Sequence, residues 1–131
     1  MTDHQKGRAP SQRQLKVGEL IRHALAEIFA RGEIVDDVLT NASLTVSEVR
    51  MSPDLKLATA FVLPLGGAGA AEAVSHLDLH RRFLRGELAR RVNLKFMPEI
   101  RFKLDTSFDA SRRIDELLAS PEVRRDLDGE D

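Results

Sequence analysis

Residues 43–63 read SLTVSEVRMSPDLKLATAFVL, two runs of β-branched and aliphatic side chains around a turn. In the first run, Ser43 to Met51, Leu44 and Val46 are out of phase with Val49 and Met51, so the alternation slips by one near Ser47 and Glu48. A β-bulge, which sets two residues of one strand against one of its partner, accounts for the slip. Ser52, Pro53 and Asp54 supply turn chemistry, and the second run extends from Leu55 to Leu63. Runs joined this closely predict an antiparallel hairpin. The second strand carries Ala58, Ala60 and Val62 on one face and Leu57, Thr59 and Phe61 on the other. Small side chains suit a face that helices approach closely, which leaves Leu57 and Phe61 for the opposite, open face.

Downstream, Pro64 and the run Gly66-Gly67-Ala68-Gly69 end the hairpin, and Ala70, Ala73, Val74, Leu77, Leu84, Leu88 and Val92 then recur at helical spacing. His80, Arg81 and Arg82 crowd the turn between Leu77 and Leu84, which predicts a kink or a change of exposed face there, with Gly86 a second weak point. Asn93 to Pro98 turns the chain into a third strand, where Ile100, Phe102 and Leu104 alternate with Glu99, Arg101 and Lys103. Upstream, Ser11 is the predicted N-cap of an amphipathic helix bearing Val17, Leu20, Ile21, Ala24, Leu25 and Ile28, and Gly32 suits a left-handed position past its end. Glu33 to Asn41 reads as a connection. Thr106 and Asp109 have capping-box spacing for a last short helix carrying Ala110, Ile114, Leu117 and Leu118. Ser120-Pro121 interrupts it, and the acidic residues beyond have too little apolar content to fold.

This order predicts an α+β domain in which a right-handed crossover lays the helices on one face of a three-stranded mixed sheet. Residues 1–10 form a flexible leader, 11–119 the domain, and 120–131 a disordered acidic tail.

The whole chain has 131 residues, of which 31% are charged and none is cysteine. That length fits a single core. Without cysteine, thiol catalysis, redox switching and Cys-based zinc sites are excluded. No apolar run approaches the roughly 20 residues of a membrane helix, and the polar residues 1–11 do not read as a secretory leader, so a cytoplasmic location is expected. The formal net charge of −1 conceals segregation: residues 1–31 carry +3, 32–78 carry −5, 79–104 carry +6 and 105–131 carry −5. Charge divided in this way gives a positive face, the footprint of a polyanion partner.

The glycine run follows a strand and opens a helix, where a phosphate cradle would stand, yet Gly69 is followed by Ala70 and Ala71 rather than Lys and Ser/Thr, and Glu72 would repel a pyrophosphate. His76 and His80 share a helix face without a zincin motif, and a third ligand would have to come from a distant segment. No Gly-x-Ser-x-Gly elbow occurs. Neither a cofactor nor enzymatic activity is expected. The basic block remains, and it has two readings: a solvated helix face, or a grip on phosphates. Six of its eight cations are arginine, whose guanidinium forks onto phosphate oxygens, and this favours nucleic acid. The expected contact residues are Arg81, Arg82, Arg85, Arg90, Arg91, Lys95, Arg101 and Lys103, with Arg13 and Lys16 from the first helix, converging on one contiguous patch. A protein-interaction module, or a homodimer formed through Leu57 and Phe61, is the alternative.

Four segments carry a family resemblance: the helix opening after a basic, polar leader; Val46-Ser47-Glu48-Val49-Arg50-Met51-Ser52-Pro53-Asp54-Leu55; Phe83-Leu84-Arg85-Gly86-Glu87-Leu88-Ala89-Arg90-Arg91; and Met97-Pro98-Glu99-Ile100-Arg101-Phe102 with Asp105 and Ser107 beyond. From Ser11 to about Leu118 the chain resembles the ribosome-binding factor A family. The resemblance implies a type II KH-like fold and a monomeric, non-enzymatic bacterial assembly factor. Such a factor binds the immature small ribosomal subunit and its RNA near the decoding-centre neck, late in maturation and processing. It also implies support of growth in the cold and departure before translation, in some bacteria with a GTPase. The family carries a small-x-Gly kink between two helices; here His80, Arg81 and Arg82 stand at those positions.

Overall fold

The structure is a computed structural model that describes residues 9–65 and 69–107. Helix α1 (Gln12–Ala30) begins at the expected cap: Ser11 Oγ accepts from the Gln14 N–H, and Gln14 Oε1 accepts in return from the Ser11 N–H. This reciprocal box satisfies two donors that a helix start would otherwise leave unpaired. Val17, Ile21, Ala24, Leu25 and Ile28 are buried along one stripe, whereas Leu20 is half exposed. Gly32, with φ +63°, turns the chain away after α1 as the sequence predicts.

The predicted connection over Glu33 to Asn41 is corrected by a short helix, α2 (Asp37–Ala42). Its signal is a single residue. Asp36 Oδ1 caps the Val38 and Leu39 N–H groups, while only Leu39 and Ala42 are buried, too few to make a periodic stripe.

Strands β1 (Leu44–Met51) and β2 (Leu57–Pro64) form the hairpin, and the register shifts between Val46 and Glu48, which is the expected bulge at Ser47. β2 begins two residues later than predicted because Leu55 still belongs to the turn: its φ is +62° and its N–H donates to the Ser52 carbonyl. Helices α3 (Ala70–Leu79) and α4 (Arg81–Arg91) meet at His80, which has φ −99° and ψ 12° and ends one helix while starting the next. The break thus falls where the sequence crowds its charges. Gly86 is not a second weak point, since α4 runs through it without interruption.

Strand β3 (Glu99–Leu104) lies parallel to β2, giving the sheet order β1-β2-β3 with β2 central. Ala58, Ala60 and Val62 are fully buried beneath Ile21, Leu25, Ile28, Leu77, Leu84 and Leu88, so the helices cover the small-residue face as expected. On the other face Leu57 and Phe61 are half-buried, and the Arg50 guanidinium lies 5.2 Å from the Phe61 ring centroid. That face therefore offers charge over an aromatic rather than bare apolar surface. The last short helix predicted from the sequence, the acidic tail and most of the leader fall outside the described residues, as do Gly66, Gly67 and Ala68. Among the described residues no helix is long and apolar enough to cross a membrane.

Candidate nucleic-acid interface

Leu84 and Leu88 anchor α4 in the core, which turns Arg82 outward, while Arg81 and Arg85 flank that buried stripe. All three are exposed at the start of the helix, immediately after the break. Arg85 Nη2 donates to the Met97 carbonyl at 3.1 Å, and its Nη1 lies 3.9 Å from Glu99, so its guanidinium leans toward the connection leading into β3. Arg81 and Arg82 make no ion pair or side-chain hydrogen bond among the described residues.

The far end of α4 is different. Arg91 donates to Glu87 at 2.7 Å and to Glu33, and lies 3.7 Å from Glu27, tying α4 to α1 and the segment after it. These carboxylates, Glu87 first and then Glu33, push the Arg91 guanidinium pKa up, and Arg91 in turn holds the Glu87 carboxyl below its ordinary value. Arg90 sits 3.5 Å from the same Glu87. Arg91 is thus a structural tie, compensated inside the fold.

The expected single patch is therefore divided. Arg101 and Lys103 alternate with buried Ile100 and Phe102, so they point from the uncovered face of the sheet, opposite the helices. Arg101 stands in register with Thr59, and Thr59 with Arg50, adding a cation that the sequence analysis did not single out. Arg13 and Lys95 come together at one end of the molecule, in a groove between the start of α1, the β1–β2 turn and the α4–β3 connection, with Lys56 on the same wall. Lys16 lies further along α1 beside Leu15, Glu19 and Leu20. The physical reason is simple: residues adjacent in a charge count alternate between faces of a strand and diverge by 100° along a helix.

Asp36 was also missed. Besides capping α2, its Oδ2 meets His76 Nδ1 at 2.8 Å and His80 Nε2 at 2.9 Å. The hydrogen bond from His76, followed by that from His80, holds the Asp36 carboxyl well below the usual carboxylate range. Both imidazoles converge on one oxygen, and among the described residues no group of three or more His, Asp or Glu could hold a metal ion. No local motif announces a contact across forty residues.

A three-stranded mixed sheet, covered on one face by helices that include a pair broken at its centre, defines a KH-like α+β domain. Comparison with known proteins narrows this. The family model for ribosome-binding factor A matches residues 13–118. The chain is 58% identical to ribosome-binding factor A of Beijerinckia indica, over 95% of this chain and 89% of that one. It is 59% identical to the Methylobacterium sp. (strain 4-46) protein of that name, over 92% and 87% of the two chains. Among solved structures it is similar to the Thermus thermophilus ribosome-binding factor A crystal structure, with 27% identity, a TM-score of 0.58 and coverage of 70% of this chain and 94% of that one. A Thermus thermophilus homology model fitted into the cryo-EM map of a complex with the 30S subunit matches at 27% identity and TM-score 0.54, over 66% and 89% of the two chains. The chain belongs to the ribosome-binding factor A family.

Proposed function

We propose that this chain binds the immature small ribosomal subunit and assists late maturation and processing of its RNA, acting as a monomer in the cytoplasm and without a cofactor. The observation that carries this reading is the exposed Arg81, Arg82 and Arg85 cluster beside the helix break. The fold engages Arg22, Arg31 and Arg91 with carboxylates at 2.7 to 3.4 Å but leaves Arg81 and Arg82 without such partners among the described residues. Guanidinium groups held outward on a rigid helix suit bidentate contact with phosphates. The family relationship, and the relative fitted into a 30S complex, support the subunit as the partner.

Arg13, Lys16, Arg90, Lys95, Arg101 and Lys103 extend the contact around the molecule, and Arg91 supports α4 from behind. The mechanism is steric and electrostatic. Tighter binding to immature than to mature subunits holds one local RNA conformation, or blocks translation components from premature access, and weakens as maturation completes. Assistance in the cold follows where RNA rearrangement is slow, and departure is aided in some bacteria by a GTPase.

Reversing all three charges tests the reading. Arg81→Glu, Arg82→Glu and Arg85→Glu together should abolish co-sedimentation with small-subunit precursors while leaving thermal unfolding nearly unchanged. Persistent co-sedimentation would show that the α4 site is misplaced.

A further inference from the structure

The geometry points to a binding site for one unstacked nucleotide of single-stranded RNA in the groove between the start of α1, the β1–β2 turn and the α4–β3 connection. The base lies on an apolar floor against Phe96, and the flanking phosphates meet Arg13, Lys56 and Lys95. The inference rests on the RNA-binding reading above and names a further point of contact, which adjoins Arg85 through Met97 and Glu99.

The groove encloses about 750 Å³, within the range of sites that take small organic groups. Leu55, Leu94 and Met97 form its floor, each half-buried and packed against the core, so the floor is rigid. Phe96 is 78% exposed and contributes nothing to the core; Lys95 Nζ sits 5.6 Å from its ring centroid. An exposed aromatic flanked by a cation is the arrangement on which bases stack without sequence preference. Asn93 on the rim carries an amide able both to donate to and accept from a base edge.

Charge separates this groove from another of similar size among the described residues. The second, of about 670 Å³, is lined by Arg22 and Arg31, but these are paired with Glu19 at 2.7 Å and Glu27 at 3.4 Å. Arg13, Lys56 and Lys95 have no carboxylate within ion-pair distance among the described residues. Of the acids in the groove, Asp54 is exposed but engaged within its own turn, accepting from Ser52 Oγ at 2.7 Å and the Lys56 N–H at 3.1 Å, while Glu99 lies beside Arg85. The floor also holds the one strained non-glycine residue of the hairpin turn, Leu55 at φ +62°. Such backbone is retained where surrounding structure fixes it, and here it places an apolar side chain on the groove floor.

The test uses the full chain. Methyl resonances of Leu55 and Met97 are followed while a mixed-sequence RNA hexanucleotide, or a blunt RNA duplex, is added. The single strand should shift both methyls and the duplex neither. Phe96→Ala, whose side chain is outside the core, should weaken hexanucleotide binding about tenfold with an unchanged salt slope. Lys56→Ala and Lys95→Ala should each make that slope shallower by about 0.7. Unmoved methyls, or wild-type affinity in Phe96→Ala, would overturn the assignment, as would methyls that respond to an acidic peptide but not to RNA. If precursor co-sedimentation survives such a result, the groove alone is misassigned; if wild-type protein fails to associate with precursors, the RNA-binding reading falls too.

Discussion

Gly18 lies where α1 passes over β1, and a Cβ there would approach the Val49 carbonyl oxygen to 2.6 Å, a contact only backbone movement can relieve. Gly18→Ala should therefore cost about 2 kcal/mol despite the better helix propensity of alanine. Gly86 is also within a helix, but a Cβ there meets nothing within 4 Å, so Gly86→Ala should stabilise by about 1 kcal/mol. Thermal melts of the two variants should move in opposite directions. Asp36 gives a pH signature. Its carboxyl pKa is depressed by His76 and then His80, so the stability it contributes is complete above the unfolded value of about 4 and is lost as pH falls through the lower folded value. As pH falls from 5, the gap in melting temperature between wild type and Asp36→Asn should persist through pH 4 and close only in strong acid. Had the gap closed already near pH 4, the hydrogen bonds from His76 and His80 would not be holding Asp36 ionised.

At the scale of elements, caps and ties explain why helices sit where they do. The Ser11–Gln14 box starts α1, and Gln14 Nε2 also donates to the Met51 carbonyl at 3.0 Å, joining that start to the end of β1. Ser11→Ala should lower stability by about 1 kcal/mol, read from denaturant unfolding. The two ends of α4 make a sharper contrast. Arg91→Ala strands Glu87 and Glu33 beside each other and should lower the melting temperature measurably, whereas Arg81→Ala should leave it unchanged and reduce precursor binding. Similar arginines, ten residues apart, should thus fail in different assays. The hairpin, its bulge, the third strand and the break at His80 were legible from periodicity because each follows from local alternation or crowding. Helix α2 was not, since six residues with two buried side chains carry no period and the cap finds its other partners on α3 and at the break that follows it.

For the whole molecule, the charge distribution is the functional variable. Among the described residues, the arginines of α4 adjoin the cluster at the start of α1 where Arg85 meets Met97 and Glu99, whereas Arg101 and Lys103 stand apart on the uncovered sheet face. If about six phosphates are contacted, log affinity for precursor subunits should fall with log salt at a slope of roughly −4 to −5. A slope near zero would show that contacts other than phosphate dominate. Self-association through Leu57 and Phe61 would instead be insensitive to salt, but Arg50 over Phe61 makes that face a poor apolar interface.

The amino-acid sequence by itself determined the α+β class, the crossover, the small-residue face that the helices cover and the excess of arginine in one block. These are properties of near neighbours, fixed by side-chain alternation, helical spacing and turn chemistry. Only the tertiary structure decided which cations are compensated and which stand together: Arg91 is enclosed by Glu87, Glu33 and Glu27, while Arg13 joins Lys56 and Lys95 from segments far apart in the chain. Ion pairing and groove formation depend on distances through space, and those are set by how the faces pack rather than by the order of residues.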